Sequence, residues 1–483
     1  MSDRPPPITS VTGGVGDLAA VFERCLQLAD DYDAAGDRLR DWAGTGPRTL
    51  ADPDLVASAI VSPVTFAEAD AAIAWATIGP VGLLAHSPGW ETDADAIRLA
   101  VGGLRAADEA AHAGFEALDY GVGRSVGFAL GAGTTLMGPQ GVLAAGLGVA
   151  AWQQTPAATR ADAAAAVSEW LGDHPSVMEH AVNGSGGVID GYWDGLTPST
   201  LGLGPLGVPL FHPSPQATAG ELSLLYPTDG HPVVSRWDQP RRTGAAPGTL
   251  AQAFDRLDRI NAVSDHDHPE GNGTIMIDTF IGPDGRPRHI VYLPGTDDME
   301  TTPQTMDGDV RDMTTNFKAM HGNRTAYASG IVTAMHEAGI DPGDQVMMVG
   351  HSQGGIMAAW IAGHDSTYRV TNVVTAGSPI AHLSQVPAST QMLSLENRGD
   401  VIPLTDGEPN RDRPNHVTVC FDDSETSLSG NHGLDHYRRG ATAVDASTDS
   451  SIRGYLDHLH GNGFLMSDNR QVTSQVFQIS RGP

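Results

Sequence analysis

A chain of 483 residues with 40% hydrophobic side chains is long enough for two or three domains with full cores, which excludes disorder throughout. Its 58 acidic against 28 basic residues, a formal net charge of −30, repel the phosphates of nucleic acid and of anionic lipid, so no nucleic-acid partner is expected. Two cysteines, Cys25 and Cys420, far apart in the chain, build no disulfide framework and read as two buried thiols.

The N-terminus, Met-Ser-Asp-Arg-Pro-Pro-Pro, lacks the apolar core of a signal peptide. A cytoplasmic location, or export without a classical signal, is the expectation. Leu18, Val21, Cys25, Leu28, Tyr32, Ala35, Leu39 and Trp42 recur at spacings of three and four, which predicts one long amphipathic helix closed by Trp42-Ala43-Gly44. Further stripes at Val56, Ile60 and Ile73 and at Ile97, Val101 and Leu104 predict antiparallel partners, so residues 1–182 read as a helical bundle. Its Trp-x-Gly turn weakly resembles the helical-hairpin substrates of type VII secretion, which implies a protein partner for this half. Residues 125–159 carry no charge, and Gly123, Gly127 and Gly131 recur every fourth position before Met137-Gly138-Pro139-Gln140-Gly141. That turn is expected to divide the stretch into two arms, each short of the roughly 20 residues a bilayer requires. A packed hairpin without membrane contact follows.

Residues 183–248, rich in Gly, Pro, Ser and Thr, read as a linker, and 249–483 as the second domain. It opens with a helix over 249–262, and runs at 274–281 and 288–293 joined by Pro283-Asp284-Gly285 predict a hairpin. The loop Asp265-His266-Asp267-His268-Pro269-Glu270 has metal-ligand residue types but no standard spacing, so neither a metal nor another cofactor is expected. Residues 297–315 lie where a lid would, yet they are acidic and lack aromatic residues, which favours a soluble ester over an emulsified fat. A helix over 325–338, stopped by Gly339, supports the sheet beneath the next motif.

The apolar run Val346-Met347-Met348-Val349 leads directly into Gly350-His351-Ser352-Gln353-Gly354-Gly355, and a helix bearing Met357, Trp360 and Ile361 follows. A strand turning at once into a helix strains its central residue, and flanking glycines remove the side chains that would collide there. Ser352 is thus the candidate nucleophile, and the Gln353 amide one oxyanion donor. The second donor is assigned to Thr296, in Pro294-Gly295-Thr296 at the end of an earlier strand. A serine hydroxyl requires a histidine base and a carboxylate to orient it. Asp400, just past the strand 392–396, is the carboxylate of choice, with Asp406 as the alternative. Among 19 histidines only placement discriminates. His432, in the loop after the strand 416–421, is favoured as base over His436, which falls inside the following helix.

These residues resemble the class-three lipase branch of the α/β-hydrolases over roughly residues 249–455. The shared features are strand then Gly-Thr, Gly-His-Ser-x-Gly-Gly, Gly-Ser-Pro after the next strand, Asn-x-x-Asp-Val-x-Pro, and His followed by Tyr. Gln353 stands where that family usually has leucine, and Pro294 where it usually has arginine. The resemblance implies an α/β fold with a mostly parallel sheet and an esterase or lipase-like activity on a small ester or lipid-like substrate, with Ser352 as nucleophile, Asp400 as orienter and the loop histidine before Tyr437 as base. An alternative of a different class is an interaction protein whose hydrolase fold is a non-catalytic platform.

Overall fold

The computed structural model describes residues 5–154, 174–196, 211, 214–224, 226, 230–237, 242–264, 269–297, 308–383, 386–424, 428–466 and 470–482. The chain forms two compact units, one of residues 18–113 and one that joins the first 17 residues to those from Gly114 onward.

In the first unit, α1 (Leu18–Ala43), α2 (Thr45–Leu50), α3 (Pro53–Val61) and α4 (Pro63–Ile78) precede α5 (Leu83–Gln154), whose later residues belong to the second unit. The expected apolar stripe does not lie in a core: Trp42 is 56% exposed and Ile60 88%. Small residues make the contacts instead, with Ala20, Ala29, Gly36 and Ala94 buried. Small side chains let helices approach closely, and Arg98 with Asp30 and Arg105 with Glu23 pair along the rim.

The turn expected at 137–141 is absent, because α5 runs through it. The glycine ridge finds its partner in α7 (Ser185–Leu196), which follows α6 (Pro175–Asn183). A Cβ on Gly123 would fall 2.0 Å from Gly184 O, one on Gly127 2.1 Å from Val188 O, and one on Gly191 2.0 Å from Arg124 O. Backbone meets backbone, and Tyr120 Oη donates to Asp190 Oδ2 at 2.8 Å while Arg124 pairs with Asp194 at 2.7 Å. Residues 155–159 of the proposed hairpin lie outside the described residues. Among the described residues no helix is long and apolar enough to cross a membrane.

The second unit is built on a ten-stranded sheet: β1 (Ile8–Gly13), β2 (His231–Arg236), β3 (Arg242–Ala245), β4 (Thr274–Ile281), β5 (Pro287–Leu293), β6 (Gln345–His351), β7 (Arg369–Ala376), β8 (Gln391–Asn397), β9 (His416–Phe421) and β10 (Gln471–Gly482). The order is β1-β9-β8-β7-β6-β5-β4-β10-β2, with β3 also beside β10. Only β5 to β9 are mutually parallel, and the other pairings are antiparallel. The sheet is therefore mixed, which corrects the expectation of a mostly parallel one. The antiparallel additions come from short or half-polar segments without an apolar run: β1 from the first 13 residues, β2 and β3 from the stretch read as linker, β10 from the C-terminus. The boundaries 1–182, 183–248 and 249–483 accordingly do not follow the compact units. The stretch 183–248 supplies two strands, α7 and α8 (Pro215–Ser223) to the sheet-bearing unit.

Alternating strand residues feed two cores. Ile290, Tyr292, Met347, Val349, Leu393 and Leu395 face one, and Val291, Leu293, Val346, Met348, Val373 and Met392 face the other. Leu250, Phe254 and Leu257 of α9 (Leu250–Asn261) close the first. The second is covered by α11 (Ala326–Glu337), after α10 (Met313–Met320), and by α12 (Gln353–His364). Past the single turn α13 (Leu428–Asn431), α14 (Leu434–Asp445) and α15 (Ser450–Gly461) return to the first core. The result is an α/β three-layer arrangement with the carboxyl ends of β5 to β9 side by side.

Candidate active site

The carboxyl ends of parallel strands are where open α/β sheets receive ligands, and the candidate residues follow β5, β6, β8 and β9. Ser352 stands between β6 and α12 with φ 53° and ψ −122°, a left-handed conformation that costs a non-glycine residue about 1–3 kcal/mol. Close packing enforces it. A Cβ on Gly350 would lie 2.3 Å from Gly354 O, and one on Gly354 would lie 1.9 Å from Leu293 O. The Ser352 amide donates to Ala376 O at 2.9 Å, while Gly355 and Ile356 donate the first helical bonds to Ser352 O. The amide of Gln353 precedes those bonds and has no intrahelical acceptor.

Gly295, at the end of β5, lies against this turn: its Cβ position is 3.1 Å from Ser352 Cβ. Thr296 Oγ1 accepts from Asn316 Nδ2 at 3.0 Å, which fixes the hydroxyl from α10. Gln353 Nε2 donates to Asp312 O at 2.7 Å, so its side chain ties α12 to the same region. The described ends of the expected lid are pinned as well. Arg311, fully buried, donates from Nε to Asp297 Oδ2 at 2.7 Å, and Arg481 N donates to Gly308 O at 2.6 Å. Residues 298–307 of that stretch, and 265–268 of the His/Asp loop, lie outside the described residues. No group of three or more His, Cys, Asp or Glu among the described residues could hold a metal ion.

Asp400 is buried beyond β8. Its Oδ1 accepts the Ile402 amide at 3.0 Å, and its Oδ2 accepts the Tyr437 hydroxyl at 2.6 Å and faces His432 Nδ1 at 2.7 Å. The tyrosine was present in the sequence pattern without a role. Its hydroxyl pKa is pushed well above the ordinary value by burial and by the Asp400 charge, so it stays a donor. Asn397, at the end of β8, donates from Nδ2 to Asn431 O at 3.1 Å and holds the loop that carries His432.

The alternatives are engaged elsewhere. His436 is buried and pairs through Nδ1 with Asp423, which also accepts from Arg439 Nη1 at 3.4 Å. Asp406 accepts the Ala381 amide at 2.8 Å, and burial, with Glu396 and Glu408 near, pushes its carboxyl well above the usual range. The cysteines are half-buried and form no disulfide. Burial and Glu396 push the Cys420 thiol up to about 12, which keeps it protonated and unreactive.

A chain of contacts thus runs from Tyr437 through Asp400 to His432, beside a strained serine at a helix N-terminus. Ser352 Oγ makes no hydrogen bond to His432; such bonds often tighten only when substrate is bound. No family model matches the chain, and neither a curated protein nor a solved structure matches it.

Proposed function

We propose that this protein is a serine hydrolase of the α/β-hydrolase type that cleaves carboxylic esters through an acyl-enzyme. The observation that carries the reading is a strained Ser352 after β6, tied through the neighbouring His351 to a His432–Asp400 pair, at 2.7 Å, that follows β9 and β8 of the same parallel run. Ser352 Oγ attacks the ester carbonyl, and His432 Nε2 takes its proton and returns it to the leaving alcohol. Asp400, held by Tyr437, stabilises the imidazolium. The Gln353 amide and Thr296 stabilise the oxyanion, an interaction for which one donor is typically worth about 10²–10³ in rate. Water then releases the acid by the same steps.

The pinned, acidic ends of the lid stretch support a soluble ester as substrate. For the helical unit, its exposed Ile60, Val61 and Trp75 support contact with a protein partner. The test of the hydrolase reading is turnover of p-nitrophenyl esters of graded chain length. Ser352→Ala should lose about 10⁴-fold or more in rate while keeping its melting temperature. Equal turnover by the variant would exclude Ser352 as nucleophile.

A further inference from the structure

His351, next to Ser352, is buried, and the chemistry above does not use it. Its Nε2 lies 2.8 Å from the backbone oxygen of His432, and because a carbonyl only accepts, Nε2 carries the hydrogen. Its ring centroid is 4.6 Å from that of His432, with the planes 37° apart, and 5.7 Å from that of Tyr437. The Cβ position of Gly295 is 3.1 Å from its Nδ1. One side chain therefore touches the base, the tyrosine that holds the carboxylate and the oxyanion turn, while its own backbone leads into the nucleophile.

We propose that His351 is a positioning residue whose Nε2–H bond to the His432 carbonyl holds the base over Ser352. Its catalytic consequence rests on the esterase reading, but the geometry does not. The bond to Asp400 fixes one nitrogen of the His432 ring, and a ring held there can still move with its main chain. That main chain is pinned at two successive carbonyls: Asn431 O by Asn397 at the end of β8, and His432 O by His351 at the end of β6. Burial, and next the neighbouring His432, push the His351 pKa well below the ordinary value. It stays neutral, as it must, since a second cation so close would oppose the imidazolium that forms on His432 during the reaction. A residue that only fills space needs volume and no directed donor, so the two roles separate experimentally.

In the full-length protein, the far-downfield NMR resonance of the His432 Nδ1–H to Asp400 bond, assigned by its loss in His432→Ala, reads the position of the base without requiring turnover. His351→Phe keeps a ring and removes the N–H, and His351→Gln returns an N–H near the Nε2 position; His351→Met replaces the phenylalanine variant should the larger ring prevent folding. The expected result is loss of the resonance in His351→Phe and its recovery in His351→Gln. In parallel, kcat/KM for a soluble ester falls about 10- to 100-fold, mainly through kcat, as for a misplaced catalytic group, and the glutamine restores it. A phenylalanine variant that keeps both the resonance and kcat, with only a lower Tm, would make His351 a packing residue and overturn the proposal. Failure of a folded glutamine variant to restore the resonance would also overturn it, as would absence of the resonance in the wild type. A wild type that has the resonance but hydrolyses no ester would sink the esterase reading alone, with the positioning role still decided by the Phe and Gln pair.

Discussion

The two units solve the packing problem in opposite ways. In the sheet-bearing unit, alternate residues of each central strand are shut between layers, and Val291, Met348 and Val373 are fully buried. In the helical unit, alanine and glycine make the contacts, while large apolar residues such as Ile60, Val61 and Leu99 stay exposed. A strained site can exist only where the surroundings over-determine it. The φ of Ser352 survives because Gly350, Gly354 and Gly295 leave no slack around it, whereas no residue of the helical unit, 18–113, has a positive φ.

The largest expected effect separates chemistry from support inside the first kind of packing. His432→Ala should lose about 10⁴-fold in kcat/KM, the scale for removing one member of such a constellation. His436→Ala should instead lower stability, because buried Asp423 loses its imidazole partner and keeps Arg439, with kcat largely kept. Kinetics alongside urea unfolding of both variants reads the difference, and the reverse pattern would move the base to His436. Next in size is the contrast between the units. Phe254→Ala, in the fully buried core, should cost about 3–5 kcal/mol, whereas Ile60→Ala should stay within roughly 0.5 kcal/mol by the same unfolding measurement. A large loss at Ile60 would mean that the helical unit depends on that face.

The smallest effect is a pH dependence built into the sheet. Burial lowers the His416 pKa to about 4, with the nearby Arg413 adding to the shift. The unfolded chain binds this proton first, so the stability is fully present above about pH 6.5 and is lost as pH falls toward 4, by at most about 3 kcal/mol. Asp309, pushed up to about 8 by burial and by Asp297, works with the opposite sign. The relevant quantity is therefore the difference between wild type and His416→Leu in Tm measured from pH 7 to 4. The variant should lose less on acidification, and parallel curves would show that His416 titrates normally.

What the sequence revealed follows the same division. β4 to β9 and the helices at 250–261, 326–337 and 353–364 were legible because continuous apolar runs, helix caps and turn residues agree locally. The strained serine turn was legible because its glycines are needed for close approach whatever lies around it. β1 and β10 were not, since Ile8-Thr9-Ser10-Val11 and the polar-apolar alternation after Gln471 gain their burial only from partners distant in sequence. The glycine ridge at 123 and 127 signalled close helix contact, but spacing alone does not say which helix supplies it, and it proved to be α7. Tyr437 on Asp400 and His351 on His432 are contacts made across strand ends, which no local pattern encodes.

The proposed nucleophile is Ser352, activated by His432 and Asp400 beyond the ends of β9 and β8. The full chain treated with a fluorophosphonate and digested for mass spectrometry should carry a single adduct on the peptide containing Ser352. Ser352→Ala should carry none, and His432→Ala should acquire it far more slowly. An unmodified wild-type protein, or an adduct at a different serine, would contradict the account.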